Sequence, residues 1–179
     1  MIHLITDPKG HEAKIQKLQT LLYNSLSDTW EIGETNFQGY GLAQKGSNNA
    51  GAVPICFNVR TDKDYKEVGW DDKNVAMFFF GTGDTIEYTA AGASVDAYVC
   101  FFVNLVNTNK ENSQRRATDV RMDVFNILRK GMYGTKVTNE LTGIDRVLAE
   151  YDGLKNSFDR FDYHPMHCFR YNFTINYKP

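Results

Sequence analysis

Hydrophobic positions along the chain recur with two different periods, and each period predicts a different kind of element. Ile15, Leu18, Leu22 and Leu26 recur at helical spacing, with Lys14 and Lys17 off the stripe. Asp7-Pro8 suits the start of this helix, with Asp as N-cap and Pro at the first helical position, and Ser27-Asp28 suits its end. A short strand is predicted at Trp30 to Ile32. Val53 to Arg60 and Val75 to Phe80 read as strands. Thr85 to Thr89 reads as the return arm of a hairpin turned at Gly81-Thr82-Gly83-Asp84. Val95 to Val106 is the longest apolar stretch. One parity holds Val95, Ala97, Val99, Phe101, Val103 and Leu105. The other holds Asp96, Tyr98, Cys100, Phe102, Asn104 and Val106. One clean face and one mixed face predict a central strand. A second helix is predicted from Ser113 to Lys130 on the stripe Ala117, Val120, Val124, Ile127 and Leu128, with Gly131 closing it. Ile144 to Tyr151 reads as a strand. At the C-terminus His167, Phe169, Tyr171, Phe173, Ile175 and Tyr177 take one face, and Cys168, Arg170, Asn172, Thr174 and Asn176 the other. Such period-two alternation is the clearest strand signal in the chain.

Between these elements the pattern fades. Residues 36 to 50, with Gly39, Gly41, Gly46, Ser47, Asn48 and Asn49, read as a long loop and a natural contact arm. Residues 61 to 74, with Asp62, Lys63, Asp64, Lys66, Glu67, Asp71, Asp72 and Lys73, read as a second exposed loop. Residues 132 to 143 read as a connector with a short helical turn. The order predicts one α+β domain over 1–179: a mixed, mostly antiparallel sheet, two helices packed on one face, and long projecting loops. There is no internal repeat and no low-complexity tail.

Composition narrows the function classes. With 179 residues, 42% of them apolar and 23% charged, the chain can bury a core without disulfides or metals. Its formal net charge of -2 and the lack of a basic patch argue against sequence-specific DNA binding, which rests on many phosphate contacts. Cys56, Cys100 and Cys168 are odd in number and widely spaced, as expected of reduced thiols in a cytosolic fold. The N-terminus lacks the basic and apolar regions of a signal peptide. No apolar run approaches the ~20 residues that span a bilayer.

Candidate chemistry concentrates near the C-terminus. His164, His167 and Cys168 form a His-x-x-His-Cys group with ligand-type side chains. A zinc site needs about four converging donors, however. His167 and Cys168, adjacent on a strand, should point to opposite faces. Asp159 and Asp162 are carboxylates that could do acid/base or magnesium work, but with Arg160 between them they read as a solvated loop. A Cys-His nucleophile pair would need a thiol that is not packed in a strand. Gly81 to Thr85 resembles a piece of a phosphate loop but has no lysine and opens no helix. Arg115, Arg116, Arg121 and Arg129 make the second helix locally basic. Asp119 and Asp123 within one turn predict surface ion pairs. No catalytic, cofactor or metal residues are assigned, and the chain is expected not to be an enzyme. The alternatives are a small cytosolic enzyme or ligand-binding domain using His164, His167 and Cys168, or a bacterial protein-binding adaptor.

The apolar strand Val95 to Leu105 leads through a polar turn, Asn107 to Asn112, into an Arg-containing helix, Arg115 to Val124. A connector follows, and a closing strand begins after Tyr163-His164-Pro165-Met166-His167. In pattern and length this half of the chain resembles the neck proteins of tailed bacteriophages, the tail terminators and head-to-tail joining ring proteins. The frequent Asn, Tyr and Phe resemble proteins of crAss-like phages of gut Bacteroidetes. The resemblance implies a virion protein assembled in the host cytoplasm: a homo-oligomeric ring, six- or twelve-fold, that joins portal and head to tail. Its partners would be portal, adaptor or tail proteins, with DNA passing through the channel unread and with no membrane or cofactor.

Overall fold

The computed structural model describes residues 1–60, 64–108 and 116–178. The expected helix start at Ser113, Arg115, the turn residue Asn112, and Asp62 and Lys63 lie outside these residues. The fold is mixed α and β, with a mostly antiparallel main sheet containing one parallel pair. Five strands lie in the order β1 (Phe37–Leu42), β5 (Ala76–Thr89), β6 (Gly92–Asn104), β8 (Met166–Tyr177), β7 (Thr135–Thr142). Strand β1 runs parallel to β5 and every other pair is antiparallel.

One face of this sheet carries the two helices, α1 (Gly10–Trp30) and α2 (Ala117–Leu128). Phe78, Phe101 and Phe169 lie directly opposite one another on three adjacent strands. Their ring centroids are 5.0 and 5.1 Å apart, and the second pair is stacked. Burying each such side chain stabilises the fold by roughly 1.5–3 kcal/mol. The α1 stripe of Ile15, Leu18, Leu22 and Leu26 packs onto this ladder as its spacing predicts. Trp30 is fully buried beside it, and its Nε1–H donates to Asp123 Oδ2 on α2 at 2.8 Å.

The opposite face is covered over part of its length by a second layer. A small antiparallel sheet of β2 (Gln44–Asn48), β3 (Gly51–Asn58) and β4 (Asp64–Glu67) joins two four-residue helices, α3 (Ile144–Val147) and α4 (Asp152–Lys155), and a 3₁₀ turn at Asp159–Asp162. Phe79, Phe102, Phe158, Phe161 and the three cysteines are buried between the layers. From Tyr98 to Val103 strand β6 therefore has both faces covered, which accounts for its long apolar run.

Several expected boundaries move. Asp7 has a left-handed backbone (φ 54), which an N-cap does not adopt, and α1 begins at Gly10 after the extended Lys9. The helix runs past Ser27-Asp28 and absorbs Trp30. Glu31, also left-handed, stops it, so there is no strand at Trp30 to Ile32. The expected loop at 36 to 50 is instead β1 and β2. Its glycines serve close packing: a Cβ on Gly39 would fall 2.9 Å from Phe78 and 3.0 Å from Tyr23. Within 61 to 74, β4 pairs with β3 and Val68 is buried, because the neighbouring strand supplies the hydrogen bonds the polar sequence does not advertise. The turn expected at 81 to 84 is an irregularity within β5, between Thr82 and Ile86, and the chain reverses at Ala90-Ala91. The connector at 132 to 143 holds a 3₁₀ turn and then strand β7. The strand expected at 144 to 151 is the helical turn α3 and a following bend. Ile144, Val147, Leu148 and Tyr151 are buried at i, i+3, i+4 and i+7, a helical spacing.

Candidate functional site

The residues singled out at the C-terminus do not converge. His164 is exposed, while the half-buried His167 stacks on Phe169 (5.7 Å) on the helix side of β8. Cys168 points the other way, into the core beneath the second layer. Asp159 and Asp162 lie exposed on the 3₁₀ turn, and Asp162 Oδ1 accepts the Ile144 N–H at 2.8 Å, holding the start of α3. Among the described residues no three His, Cys, Asp or Glu side chains are grouped as metal ligands. All three thiols are fully buried. Burial pushes each one up, Cys168 to about 12.

Charged side chains of the basic helix are engaged both at its start and across to β7. Asp119 accepts the Arg116 N–H at 2.8 Å and caps α2. Arg121 reaches across to Glu140 on β7, and the Tyr171 hydroxyl donates to the same carboxylate. Arg129 stays exposed beyond the helix.

Two features remain that can act on a partner. The first is a cleft of about 780 Å³ where the second layer stops short of the upper sheet. Lys45, Asp84, Asp96, Tyr98, Glu150 and Arg170 line it. Its charged centre is already satisfied. The Arg170 guanidinium lies 3.6 Å from the centre of the Tyr98 ring, donates to Glu150 Oε2 at 2.6 Å and to Asn172 Oδ1 at 2.7 Å. Burial opposes the Arg170 charge, but the Glu150 carboxylate outweighs it and keeps the guanidinium protonated. Beside it the Tyr98 and Tyr151 hydroxyls share a 3.2 Å hydrogen bond. Burial pushes both phenols up, Tyr151 to about 12, so neither supplies a phenolate at neutral pH.

The second feature is the pair of sheet edges. At the β1 edge Gly39 donates to Met1 O and accepts from the His3 N–H, both at 2.9 Å, so the segment at residues 1–3 covers it. That cover ends early, since β1 pairs with β5 only as far as Phe80. The outer half of β5, Thr82 to Thr89, is therefore flanked by β6 alone. On the far side β7 is flanked by β8 alone. Among the described residues no further strand pairs with either. Unpaired N–H and C=O groups on such edges are a ready template for another strand.

Neither edge is legible from periodicity. Strand β7, Thr-Lys-Val-Thr-Asn-Glu-Leu-Thr, is mostly polar on both sides, and only its β-branched content hints at a strand. Arg170 and Glu150 were likewise hidden, the one on the polar parity of β8 and the other in a segment read as a strand. Comparison with known proteins adds no relative: no family model, no curated protein and no solved structure matches this chain.

Proposed function

We infer that this chain is a non-catalytic structural subunit of a ring in the neck or tail of a tailed bacteriophage, joining head to tail around the DNA channel. The observation that carries this reading is the pair of open strand edges on opposite sides of one sheet, outer β5 and β7. Two unlike edges favour a heterologous, head-to-tail contact, and such contacts generate cyclic assemblies when the rotation closes. The likeness of residues 95 to 179 to phage neck proteins supplies the setting. The uncovered upper half of the second face bears Glu87, Ser94, Asp96, Lys136, Asn172, Thr174 and Asn176, a polar wall without a basic cluster. A wall of this kind lets DNA slide without gripping its phosphates. Portal, adaptor or tail proteins of the same particle are the neighbours this reading assigns.

Light scattering with negative-stain imaging of the purified chain tests it. The expected result is one closed assembly of fixed stoichiometry, six- or twelve-fold. A chain that stays monomeric at every concentration overturns the reading.

A further inference from the structure

We propose that the ring contact is a continuous β-sheet in which outer β5 (Thr82 to Thr89) of one copy pairs antiparallel with β7 of the next, with Glu87 opposite Lys136. This rests on the ring reading above and names the surfaces it uses.

Four observations converge on the pairing. The first is length: outer β5 and β7 each offer eight residues of open edge. Direction is the second. The antiparallel steps β5 to β6, β6 to β8 and β8 to β7 make β5 and β7 run oppositely. A neighbour with its helix layer on the same side therefore presents β7 antiparallel to β5. Third, charge is complementary. Thr82 to Thr89 carries Asp84 and Glu87 and no basic residue, whereas β7 carries Lys136, and its one acidic residue, Glu140, is already engaged by Arg121 and Tyr171 on the helix side. Asp84, Glu87 and Lys136 are all exposed.

The fourth observation is the face each side chain takes. Glu87 pairs with Ser94 and through it with Asn176, and Lys136 pairs with Thr174. Asn176 and Thr174 share the parity of Cys168 and Arg170, so Glu87 and Lys136 both project from the second face. Directly opposed residues of an antiparallel pair share a face, which allows this contact. The same register sets Tyr88 opposite Thr135, both on the helix side. Tyr88 is 71% exposed in the single chain, and the pairing turns it toward the neighbour's helix layer. Each edge also contains a bulge, at Thr82 to Ile86 and at Val137 to Asn139. Bulges discourage indiscriminate pairing, so charge and register select the partner.

The test is charge reversal read by sedimentation velocity. Glu87→Lys and Lys136→Glu, each alone, are expected to weaken assembly about tenfold by placing like charges opposite one another. An equimolar mixture of the two variants should assemble like the wild type, since every contact in an alternating ring then has opposite charges facing. Amide hydrogen exchange on the wild type gives an independent readout: protection at 82–89 and 135–142 should appear only on assembly. If the single variants assemble normally, or mixing fails to restore assembly, the β5–β7 pairing is overturned while the ring reading stands. A wild-type chain that never assembles removes both.

Discussion

The ring of Tyr98 lies directly across Gly81, so that a Cβ at position 81 would fall 2.1 Å from the ring's Cζ. These residues face each other on β5 and β6, and Arg170 stacks on the same ring at 3.6 Å. The missing side chain at 81 is what lets Tyr98 lie flat and hold the guanidinium. Gly81→Ala is therefore expected to push the ring aside and cost about 2–3 kcal/mol by overpacking. Gly83→Ala is the control. Its Cβ would meet nothing nearer than 3.7 Å, so only the small propensity change of a strand glycine applies. Urea denaturation of both variants measures the difference, and equal midpoints would contradict this account of Tyr98.

A buried histidine links stability to pH. His3 is 1% exposed, its Nδ1 accepts the Val59 N–H at 3.2 Å, and its Nε2 is 3.1 Å from Gln38 Oε1. This arrangement fits the neutral ring, because a proton on Nδ1 would point at another N–H. Burial lowers its pKa from 6.5 to about 4. The Gln38 hydrogen bond opposes the shift, and the N-terminal amine and Arg60 add to it. The unfolded chain thus binds more protons between those two values. The contribution of His3 is complete above pH 6.5 and declines as pH falls toward 4, by about 2 kcal/mol at pH 5. His167, lowered by burial and Arg121, contributes with the same sign. Denaturation of wild type and His3→Gln at pH 7 and pH 5 should show a shallower pH dependence in the variant; parallel curves would refute the assignment.

How much of this was readable from sequence depended on whether an element's period was unambiguous. Strand β8 was legible because Phe169 to Tyr177 and Cys168 to Asn176 fall on faces of different polarity. Helix α1 was legible because its stripe meets the aromatic ladder. Segment 144 to 151 was not, since Val147, Ala149 and Tyr151 also alternate, and only burial shows that Ile144, Val147, Leu148 and Tyr151 is the operative set. Strand β1 was lost because Gly39 and Gly41 carry no apolar signal, and the groups that fill their space, Phe78, Tyr23 and Gln19, lie far away in sequence. The edges were the least visible. Whether a strand is an edge depends on the spatial order of all the others, and no local pattern encodes that order.

The Arg170–Glu150 pair is asymmetric, and mutation should expose the asymmetry. The Arg170 side chain is 10% exposed and that of Glu150 is 41% exposed. Removing Arg170 leaves a carboxylate that water can reach, whereas removing the Glu150 charge leaves a guanidinium that water largely cannot. Arg170→Met also keeps an apolar stem against Tyr98. Glu150→Gln is accordingly expected to cost more than the half-exposed position of Glu150 alone suggests, roughly 1–3 kcal/mol. The double variant should cost less than the sum of the two singles. A double-mutant cycle by chemical denaturation measures the coupling, and strict additivity would mean that the pair does not act as a unit.

The two layers flanking the main sheet are unequal in size, which bears on how the protein opens. The helix side is held by a helix of 21 residues and one of 12, while the second layer consists of a three-stranded sheet and helices of four residues. Local opening favours the smaller, less contacted unit. Cys56, Cys100 and Cys168 are all buried in the core beneath the second layer, and Trp30 is buried in the core beneath the helices. Thiol labelling therefore reports one layer and Trp30 fluorescence the other, most cleanly in a Trp70→Phe variant, since Trp70 packs on Phe161 in the second layer. A thiol reagent should leave the native protein unlabelled because its burial both shields the sulfur and disfavours the thiolate. As urea is added, labelling of all three cysteines is expected at concentrations where Trp30 emission is still native. The second layer would then lift from the sheet before the helix layer melts. If labelling and fluorescence change together, the layers unfold as one cooperative unit and this order of opening is wrong.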